Sequence, residues 1–582
     1  ILLAMVMVLS MTTAAFAATS FNENDYAAST ADVTVSNAAA ETTAMTAYQV
    51  IGATYDANSK SVSYYLTDWV KAALAGKTQY KTGTELDVDK VALALGAIIP
   101  SEGGQKTDTD VNPDPNDVLA ILASADKTTA KSDEVYNGTK NLTTFTFTSL
   151  KVGAYFIAAT DSKNVYSPMM VSVGVGADAT GVINAVVKNR DISAKFTEIP
   201  FDKKITGSTT GVGKKDKNPA GDNGDDTNIG DTIHFEITNT VPTYADNYHS
   251  ILYKFSDTVS EGLTLDPDSI SVSIAKKDKT AVSFDKTNNT KNWTADKTGW
   301  SFELTDDDYI KSLAECVITI TYDAVLNDKA ETGFDANTNK ARLDYTTKPT
   351  GETNYLEDGT YHYTFEIDGN IGGQEKKITE GSESWDVIGH EVIKVGKDEY
   401  VTKPLAEGET VDGYTVGHYT ARKKSDPTIV YNGGLEGAVF TLTNTETGEI
   451  KTATTTKDGY MNFKGLDAGT YTLVETSAPK GYSVDKTSHT VVISAQYNPN
   501  GTLKQYSVTI DGNATTTYSA KYYKDQTTEY ESDKYLGTTV IPTIKKEADV
   551  STLLKNTPLV SLPSTGGMGT TLFTVAGCLI MI

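Results

Sequence analysis

Cysteine is nearly absent from this sequence, which argues against a fold held by disulfides. Its 582 residues include two cysteines, Cys316 and Cys578, and Cys578 lies in the apolar run at the C-terminal end. Without that run the chain would keep one thiol and could form no internal disulfide. Exported proteins that need covalent reinforcement usually take it from disulfides. An exported form of this chain would therefore do without a crosslink or use a different one.

Positive charge and enzyme motifs are also scarce. The chain has 51 basic and 76 acidic residues, a formal net charge of −25, whereas nucleic-acid binding needs a basic surface. The six histidines form no H-E-x-x-H motif, and there is no Walker loop and no nucleophile elbow. We therefore expect no nucleic-acid partner, no turnover enzyme, no cofactor and no metal site.

Long apolar runs occur only at the two ends. The N-terminal run is followed by Ala15-Phe16-Ala17, an A-x-A-like cleavage signal, so residues 1–17 are predicted to be a secretory signal peptide. The C-terminal run from Met568 to Ile582 is uncharged, but its about fifteen residues fall short of the ~20 that span a bilayer as a helix. We expect that the natural chain extends beyond both printed ends and that the membrane segment is truncated.

The region between the ends shows two different sequence patterns. The first part mixes alternating segments such as TTFTFTSL with helix-like ones such as TDWVKAALAG. The rest consists of short alternating segments separated by turn residues, a pattern typical of β-sandwiches. We predict a mainly β protein with an N-terminal mixed β/α domain and tandem immunoglobulin-like β-sandwiches. The expected boundaries are 18–196, 197–356 and 357–560, with 561–582 as a C-terminal signal.

A polar, glycine-rich stretch, TGSTTGVGKKDKNPAGDNGDDTN, follows the start of the second domain. Its composition predicts an exposed loop. The acidic end of this stretch lacks the ligand spacing of an EF-hand, so we interpret it as solvated rather than as a cation site.

Strand parity predicts buried ionisable side chains. Residues two apart on a strand face the same side, so Glu475 shares the side of Tyr471 and Leu473. A buried carboxyl without compensation is costly, and its pKa rises so that it stays protonated. The same parity groups other ionisable residues with apolar ones: Asp257 with Ile251, Tyr253 and Phe255, and Lys203 with Phe201 and Ile205.

The C-terminal pentapeptide resembles a known sorting signal. Leu562, Pro563, Ser564, Thr565 and Gly566 are similar to the L-P-x-T-G signal of Gram-positive surface proteins, which also have a signal peptide and a downstream apolar segment. The resemblance implies that a sortase cysteine attacks the carbonyl of Thr565, releases the chain from Gly566 onward and passes the acyl group to an amine. The apolar tail would then retain the protein at the membrane only temporarily.

Upstream segments extend this resemblance to a family. Residues 471–482 carry every fixed position of the E-box Y-x-L-x-E-T-x-A-P-x-G-Y, as in collagen-adhesin B-type (Cna-B) domains. The segment IGDTIHFEITNTVPTYADNYHSILYKFSDTVSEGLTL with ANTNKARLDY resembles an A-type domain of pilin shafts. The overall match is to a major, shaft-forming pilin of sortase-assembled pili, and it implies a secreted, cell-wall-anchored fimbrial protein that supports adhesion.

The resemblance implies two self-catalysed Lys–Asn isopeptide bonds. A buried lysine is a neutral nucleophile, and a neighbouring acid can protonate the asparagine amide so that ammonia leaves. The assignments are Lys203, Asp257 and Asn339 in the middle domain, with Asn337 as the alternative, and Lys394, Glu475 and Asn556 in the last domain, with Lys397 as the alternative. Asp257 and Glu475 are the catalytic acids. By analogy with disulfides, closing so long a loop contributes about 4 to 5 kcal/mol.

Polymerisation requires an amine that accepts Thr565 of another subunit. Shaft pilins of this family carry the amine in a Y-P-K-N-like motif after the first domain, where this chain has Lys188 and Asn189 preceded by two valines. Lys188 is our assignment, and Lys195 is its competitor. The partners implied are pilin-specific and housekeeping sortases, other copies of the chain, minor pilins, peptidoglycan and a host surface ligand.

Two alternatives from other classes remain open. One is a wall-anchored adhesin, or a minor tip or basal pilin, in which Thr565 is joined to peptidoglycan and ligand binding is the main role. The other is a secreted enzyme with β-sandwich accessories. Its catalytic part would be the N-terminal domain, where we find no paired carboxylates and no nucleophile to support it.

Overall fold

The architecture is mainly β, as the sequence predicts. The computed structural model describes residues 19–40, 42–59, 61–96, 115–161, 164–167, 169–177, 183–188, 191–197, 199–210, 216–217, 219–244, 248–348, 351–369, 391–396, 400–404, 419–423, 434–457, 459–524, 528–529, 541–549 and 552–559. Within these ranges no helix is both long and apolar enough to cross a membrane.

The N-terminal part combines two sheets with three α-helices. The first sheet contains Thr19–Ser20, Thr30–Ser36, Thr144–Lys151 and Thr139–Asn141, with Ile192–Ser193 parallel to Thr30–Ser36. The second contains Ile183–Lys188, Met169–Ala177, Gly153–Thr160, Ala44–Asp56 and Ser61–Leu66, with Val135–Asn137 beside Ala44–Asp56. The α-helices are Asp68–Leu74, Val88–Gly96 and Pro115–Ser124, and they pack on the second sheet. Three 3-10 helices, Tyr26–Ala28, Thr78–Tyr80 and Ser132–Glu134, and two small strand pairs, Lys81–Thr82 with Glu85–Leu86 and Val165–Tyr166 with Phe196–Thr197, complete this part.

Two facing sheets form the middle sandwich. The seven-stranded sheet has the order Asp216–Lys217, Phe201–Thr209, Thr232–Thr240, Val317–Leu326, Ser271–Ala275 and Ala281–Val282, and Leu263–Leu265 also pairs with Val317–Leu326. The six-stranded sheet has the order Gly224–Asp226, Thr353–Tyr363, Asn337–Thr346, Tyr253–Val259, Gly299–Leu304 and Thr290–Asp296. Short helices span Lys286–Asn289 and Asp307–Ser312. Buried and half-buried residues alternate along Thr232–Thr240, which is the period expected of strands with one face in the core.

The last sandwich is built around an eight-stranded sheet. Its order is Ile450–Thr454, Val439–Asn444, Gly469–Ser477, Ser488–Tyr497, Leu503–Ile510, Asn513–Lys524 and Thr528–Glu529, with Ile541–Asp549 also paired to Asn513–Lys524. A three-stranded sheet contains Val392–Gly396, Thr552–Pro558 and Tyr482–Ser483, and Val392–Gly396 runs parallel to Thr552–Pro558. Two further pairs are Phe365–Ile367 with Phe463–Leu466 and Tyr400–Pro404 with Tyr419–Lys423.

One strand serves two sandwiches. The expected boundary between residues 356 and 357 falls inside the continuous strand Thr353–Tyr363. This strand pairs with Asn337–Thr346 of the middle sandwich, while its Tyr361 and Tyr363 pack in the core of the last one. A division at 356 would therefore cut a hydrogen-bonded strand that belongs to both cores.

The glycine-rich stretch after Phe201 is not the solvated loop that its composition predicts. Its first residues continue the strand Phe201–Thr209, and its acidic end forms the strand Gly224–Asp226. Asp225 and Asp226 are buried. That prediction was wrong because the acidic residues find partners in the last sandwich, which composition alone does not reveal.

Candidate functional site: two buried lysine, acid and asparagine clusters

The middle sandwich contains a buried cluster of one lysine, one acid, one tyrosine and one asparagine. Lys203 Nζ lies 2.5 Å from Asp257 Oδ2 and 2.5 Å from the hydroxyl of Tyr322. The Tyr322 hydroxyl donates to Asp257 Oδ2 at 2.7 Å and accepts from Asn339 Nδ2 at 3.1 Å. All four residues are buried, so the cluster is closed to solvent.

Strand register brings these four side chains together across the core. Lys203 and Tyr322 come from the seven-stranded sheet, where their strands flank Thr232–Thr240. Asp257 and Asn339 come from the adjacent strands Tyr253–Val259 and Asn337–Thr346 of the facing sheet. Each side chain points inward by the same parity as its apolar neighbours. A Lys203–Asn339 bond would therefore join the two sheets.

Burial shifts the pKa values of the charged pair toward neutrality. Burial lowers the pKa of Lys203 to about 8, against the opposing effect of Asp257. Burial also raises the pKa of Asp257, although Lys203 opposes the rise. Both shifts favour a neutral amine beside a protonated acid, which is the state that a nucleophilic attack on an amide requires.

The structure separates the two candidate asparagines. Asn337 Nδ2 donates to the carbonyl oxygens of Glu331 and His362, and its Oδ1 accepts from the backbone N–H of Glu331. The Asn337 side chain thus links the backbone at Glu331 to that at His362. Asn339 instead reaches the Lys203 cluster, and its buried Oδ1 has no hydrogen-bond partner among the described residues.

The last sandwich holds a second buried cluster, of one lysine, one acid and one asparagine. Lys394 Nζ lies 3.5 Å from Glu475 Oε1, and Asn556 Nδ2 donates to the same oxygen at 2.8 Å. Glu475 Oε2 accepts from the backbone N–H of Asp485 at 2.7 Å. The three cluster residues are buried, and within the described ranges Asn556 Oδ1 also lacks a partner.

The amine of this second cluster has an apolar environment. Lys394 Nζ lies 5.2 Å from the centroid of the Phe440 ring. Burial lowers the pKa of Lys394, and Glu475 opposes the shift. The surroundings of Lys394 thus favour the neutral form of its amine, and among the described residues the carbonyl oxygen of Asn556 lacks a partner, as that of Asn339 does in the middle sandwich.

Sequence reasoning missed Tyr322. It follows Ile318 and Ile320 at intervals of two in the strand Val317–Leu326, and all three are buried. The alternation therefore indicated a core position. A tyrosine at such a position needs a partner for its hydroxyl, and this was the available signal.

A third charged cluster joins the two sandwiches. Lys217 Nζ lies 3.3 Å from Asp226 Oδ1 and 3.2 Å from Asp467 Oδ2, and the Tyr497 hydroxyl donates to Asp226 at 2.5 Å. Burial alone would lower the pKa of Lys217, but Asp226 and Asp467 outweigh it and raise the pKa above its usual value. Lys217 is therefore held in its charged form between the two carboxylates.

The junction also contains a carboxyl whose pKa is raised by burial. Burial, followed by the charge of Asp226, raises the pKa of Asp225 to about 7. The backbones are close here as well, since a Cβ at Gly224 would lie 2.0 Å from the carbonyl oxygen of Gly501. Within the described ranges, no group of three or more His, Cys, Asp or Glu could hold a metal ion.

Several assigned residues have no described side chain. Residues 1–17, Lys397 and the segment from Leu562 to Gly566 lie outside the described residues. Lys188 is described only as the last residue of the strand Ile183–Lys188, opposite Val173. Lys195 is exposed, and its backbone carbonyl accepts from the N–H of Ser167.

Two protein-family models match the chain. Residues 229–349 match the model for Gram-positive pilin backbone subunit 2, a Cna-B-like domain. Residues 423–521 match the SpaA model, a prealbumin-like fold domain. The Cna-B-like description of the middle region differs from the A-type resemblance stated for it from the sequence.

A curated protein and two solved structures are also similar to the chain. The trypsin-resistant surface T6 protein of Streptococcus pyogenes serotype M6 is 27% identical over 465 residues, which is 74% of this chain and 76% of the relative. The T6 backbone pilin of the same serotype has a similar fold, with a TM-score of 0.50 and 18% identity over 91% of this chain and 98% of that one. The major pilin SpaD of Corynebacterium diphtheriae covers the same shares, with 14% identity and a TM-score of 0.39.

Proposed function

We propose that this chain, which belongs to the backbone pilins of Gram-positive bacteria, is the repeating subunit of a covalently polymerised pilus shaft on the cell surface. Its family is structural, and we propose no turnover activity for it. A sortase would join Thr565 of one subunit to Lys188 of the next, and a housekeeping sortase would attach the finished polymer to peptidoglycan. The shaft would carry minor pilins and support adhesion.

We further propose that each sandwich closes one Lys–Asn isopeptide bond, Lys203 to Asn339 and Lys394 to Asn556. The supporting observation is the same in both cores: a buried amine and a buried acid meet an asparagine whose carbonyl oxygen has no partner among the described residues. A buried carbonyl oxygen without a hydrogen-bond partner lowers the stability of the fold. Its presence beside a buried amine in both cores supports attack of the amine on that carbonyl group. Asp257 and Glu475 would be the acids, each acting once in its own chain.

Head-to-tail joining suits the places of the two linking residues. Lys188 ends the last long strand of the N-terminal part, whereas Thr565 follows the last strand of the last sandwich. An interface between different surfaces of identical subunits propagates as a filament when its rotation does not close a ring.

The polymer tests this function in cells that make the chain together with its sortases. The wild-type protein should give a ladder of high molecular mass on a denaturing gel of wall extracts. Lys188→Ala should abolish the ladder, and the matched exposed-lysine control Lys195→Ala should leave it intact. A digest of the polymer should contain a branched peptide joining Thr565 to Lys188. A ladder lost only with Lys195→Ala would move the linkage to Lys195, and a wild-type protein without any ladder would favour a wall-anchored adhesin.

A further inference from the structure

The hydroxyl of Tyr322 contacts all three members of the middle cluster. It accepts from Lys203 Nζ and from Asn339 Nδ2 and donates to Asp257 Oδ2. Among the described residues the other carboxyl oxygen, Asp257 Oδ1, has no hydrogen-bond partner. The described path of hydrogen bonds from the acid to the asparagine amide therefore runs through the phenol.

The last sandwich makes the same connection without a phenol. There the amide nitrogen of Asn556 donates straight to Glu475 Oε1, and the second carboxyl oxygen accepts from a backbone N–H. The acid and the amide are thus in direct contact in one cluster and one hydroxyl apart in the other. This difference lies within a single chain, so one cluster can serve as the control for the other.

We propose that Tyr322 is a catalytic proton relay in the formation of the Lys203–Asn339 bond, an inference that rests on the isopeptide chemistry of the proposed function. The neutral amine attacks Cγ of Asn339, and the new N–C bond forms. Once the tetrahedral carbon has formed, the lone pair of Asn339 Nδ2 becomes available, and the hydroxyl hydrogen of Tyr322 turns from Asp257 Oδ2 toward this nitrogen. The protonated carboxyl of Asp257 then gives its proton to the Tyr322 oxygen while the phenol gives its own to Asn339 Nδ2, which leaves as ammonia when its bond to Cγ breaks. Asp257 then takes a proton from the former amine. Acid and phenol end as they began, and the net change is amine plus primary amide to secondary amide plus ammonia.

The surroundings of Tyr322 suit this role. Its ring stacks on Phe235 at 5.2 Å and meets Trp300 edge-on at 5.6 Å, which fixes the position of the hydroxyl. Burial raises the pKa of Tyr322 well above its ordinary value, so the phenol keeps its proton until another replaces it. A group of this kind transfers protons without accumulating charge in the core.

The test follows bond formation in the chain from residue 18 to Thr565, made by cell-free synthesis and quenched in acid at successive times. Tryptic digestion and mass spectrometry quantify the Lys203–Asn339 and Lys394–Asn556 crosslinked peptides separately. Tyr322→Phe should slow the middle bond by about a hundredfold or more, the usual range for loss of a general acid, and leave the last bond unchanged. The matched control is Tyr253→Phe, which removes a buried hydroxyl of the same core that donates to Asn239 Oδ1 at 2.6 Å. It should leave both rates unchanged.

A second variant separates chemistry from packing. Replacing Tyr322 with 3,5-difluorotyrosine keeps an ionisable hydroxyl of nearly the same shape, and it should restore the middle bond to within about tenfold of the wild-type rate. In deuterated water the wild-type middle bond should form more slowly than in ordinary water, because protons move in its slow step.

The outcomes distinguish this inference from the proposed function. A wild-type chain without either crosslinked peptide would overturn the isopeptide chemistry itself. If the wild type forms both bonds and Tyr322→Phe forms the middle one equally fast, the relay is wrong while the crosslinks stand. Equal slowing by Tyr322→Phe and Tyr253→Phe, or no rescue by the fluorinated residue, would reduce Tyr322 to a packing role and also overturn the relay.

Discussion

Lys394 and Asn556 lie on neighbouring parallel strands, with Lys394 opposite Leu554 and Gly396 opposite Asn556. An early strand of the last sandwich, Val392–Gly396, thus pairs directly with its last described strand, Thr552–Pro558. In the proposed shaft, tension would pass along the chain into Val392–Gly396 and leave the sandwich after Thr552–Pro558. A bond between the Lys394 and Asn556 side chains would transmit this force directly, so the chain between these two residues would not be stretched.

This geometry predicts how the last sandwich responds to force. With the bond in place, the about 160 residues between Lys394 and Asn556 cannot extend. In Glu475→Gln, unfolding of the last sandwich should release an added contour length of roughly 55 nm, at ~3.4 Å per residue. Single-molecule stretching measures this step directly. A wild-type chain that releases the same length would show that no bond bypasses the sandwich.

Glu475→Gln should also stop bond formation while leaving the sandwich folded, because its strands have their own core and the acid supplies the proton transfers. The thermal midpoint of this domain should fall by on the order of 10 °C, from a loss of about 4 to 5 kcal/mol of chain-entropy stabilisation. Scanning calorimetry measures the midpoint, and trypsin should cut between Lys394 and Asn556.

The matched control for this substitution is Glu449→Gln, in which a half-buried glutamate paired with Lys451 is changed. It should keep the bond and the wild-type midpoint. A full loss of ammonia in Glu475→Gln would show that another group acts as the acid.

Particular residues show how much of this account the sequence could predict. Parity placed Asp257, Lys203 and Glu475 on core faces, and all three are buried, because a strand has a period of two whatever its partners are. Parity could not choose between Asn337 and Asn339, which share a face. Their difference arises from Glu331 and His362, which approach Asn337 through turns and strand pairing that one sequence does not reveal.

The missed features depend on contacts between distant segments. Asp226 and Asp467 are far apart in the chain, and Lys217 contacts both of them. Composition alone does not reveal this contact, so the stretch that contains Asp226 was classed as a solvated loop. Tyr322 was not singled out from the sequence, because its hydroxyl partners come from three other strands. The local sequence pattern predicts which face of a strand is buried. The contact partners of a buried side chain depend on the tertiary structure.

Asp225 predicts a pH dependence of the junction. Its folded pKa of about 7 exceeds the unfolded value of about 3.9, so the folded state binds more protons between these values and stability falls as pH rises through that window. Asp225→Asn removes the titration and can keep the hydrogen bond from the Ala220 N–H. Thermal unfolding should show little difference between variant and wild type at pH 4. At pH 8 the variant should be more stable, by on the order of 2 to 4 kcal/mol.

The control for the pH experiment is Asp278→Asn, which changes an exposed aspartate that accepts from the Thr280 N–H. Relative to the wild type, this variant should gain no stability between pH 4 and pH 8. An Asp225→Asn curve parallel to that of the wild type over the whole range would contradict the assignment of a buried, protonated carboxyl.

The intact mass of the folded chain from residue 18 to Thr565 tests the central claim most directly. Each isopeptide bond expels one ammonia, about 17 Da. Two bonds therefore predict a mass about 34 Da below that of the sequence, with crosslinked peptides joining Lys203 to Asn339 and Lys394 to Asn556. A mass equal to that of the sequence would contradict both bonds at once.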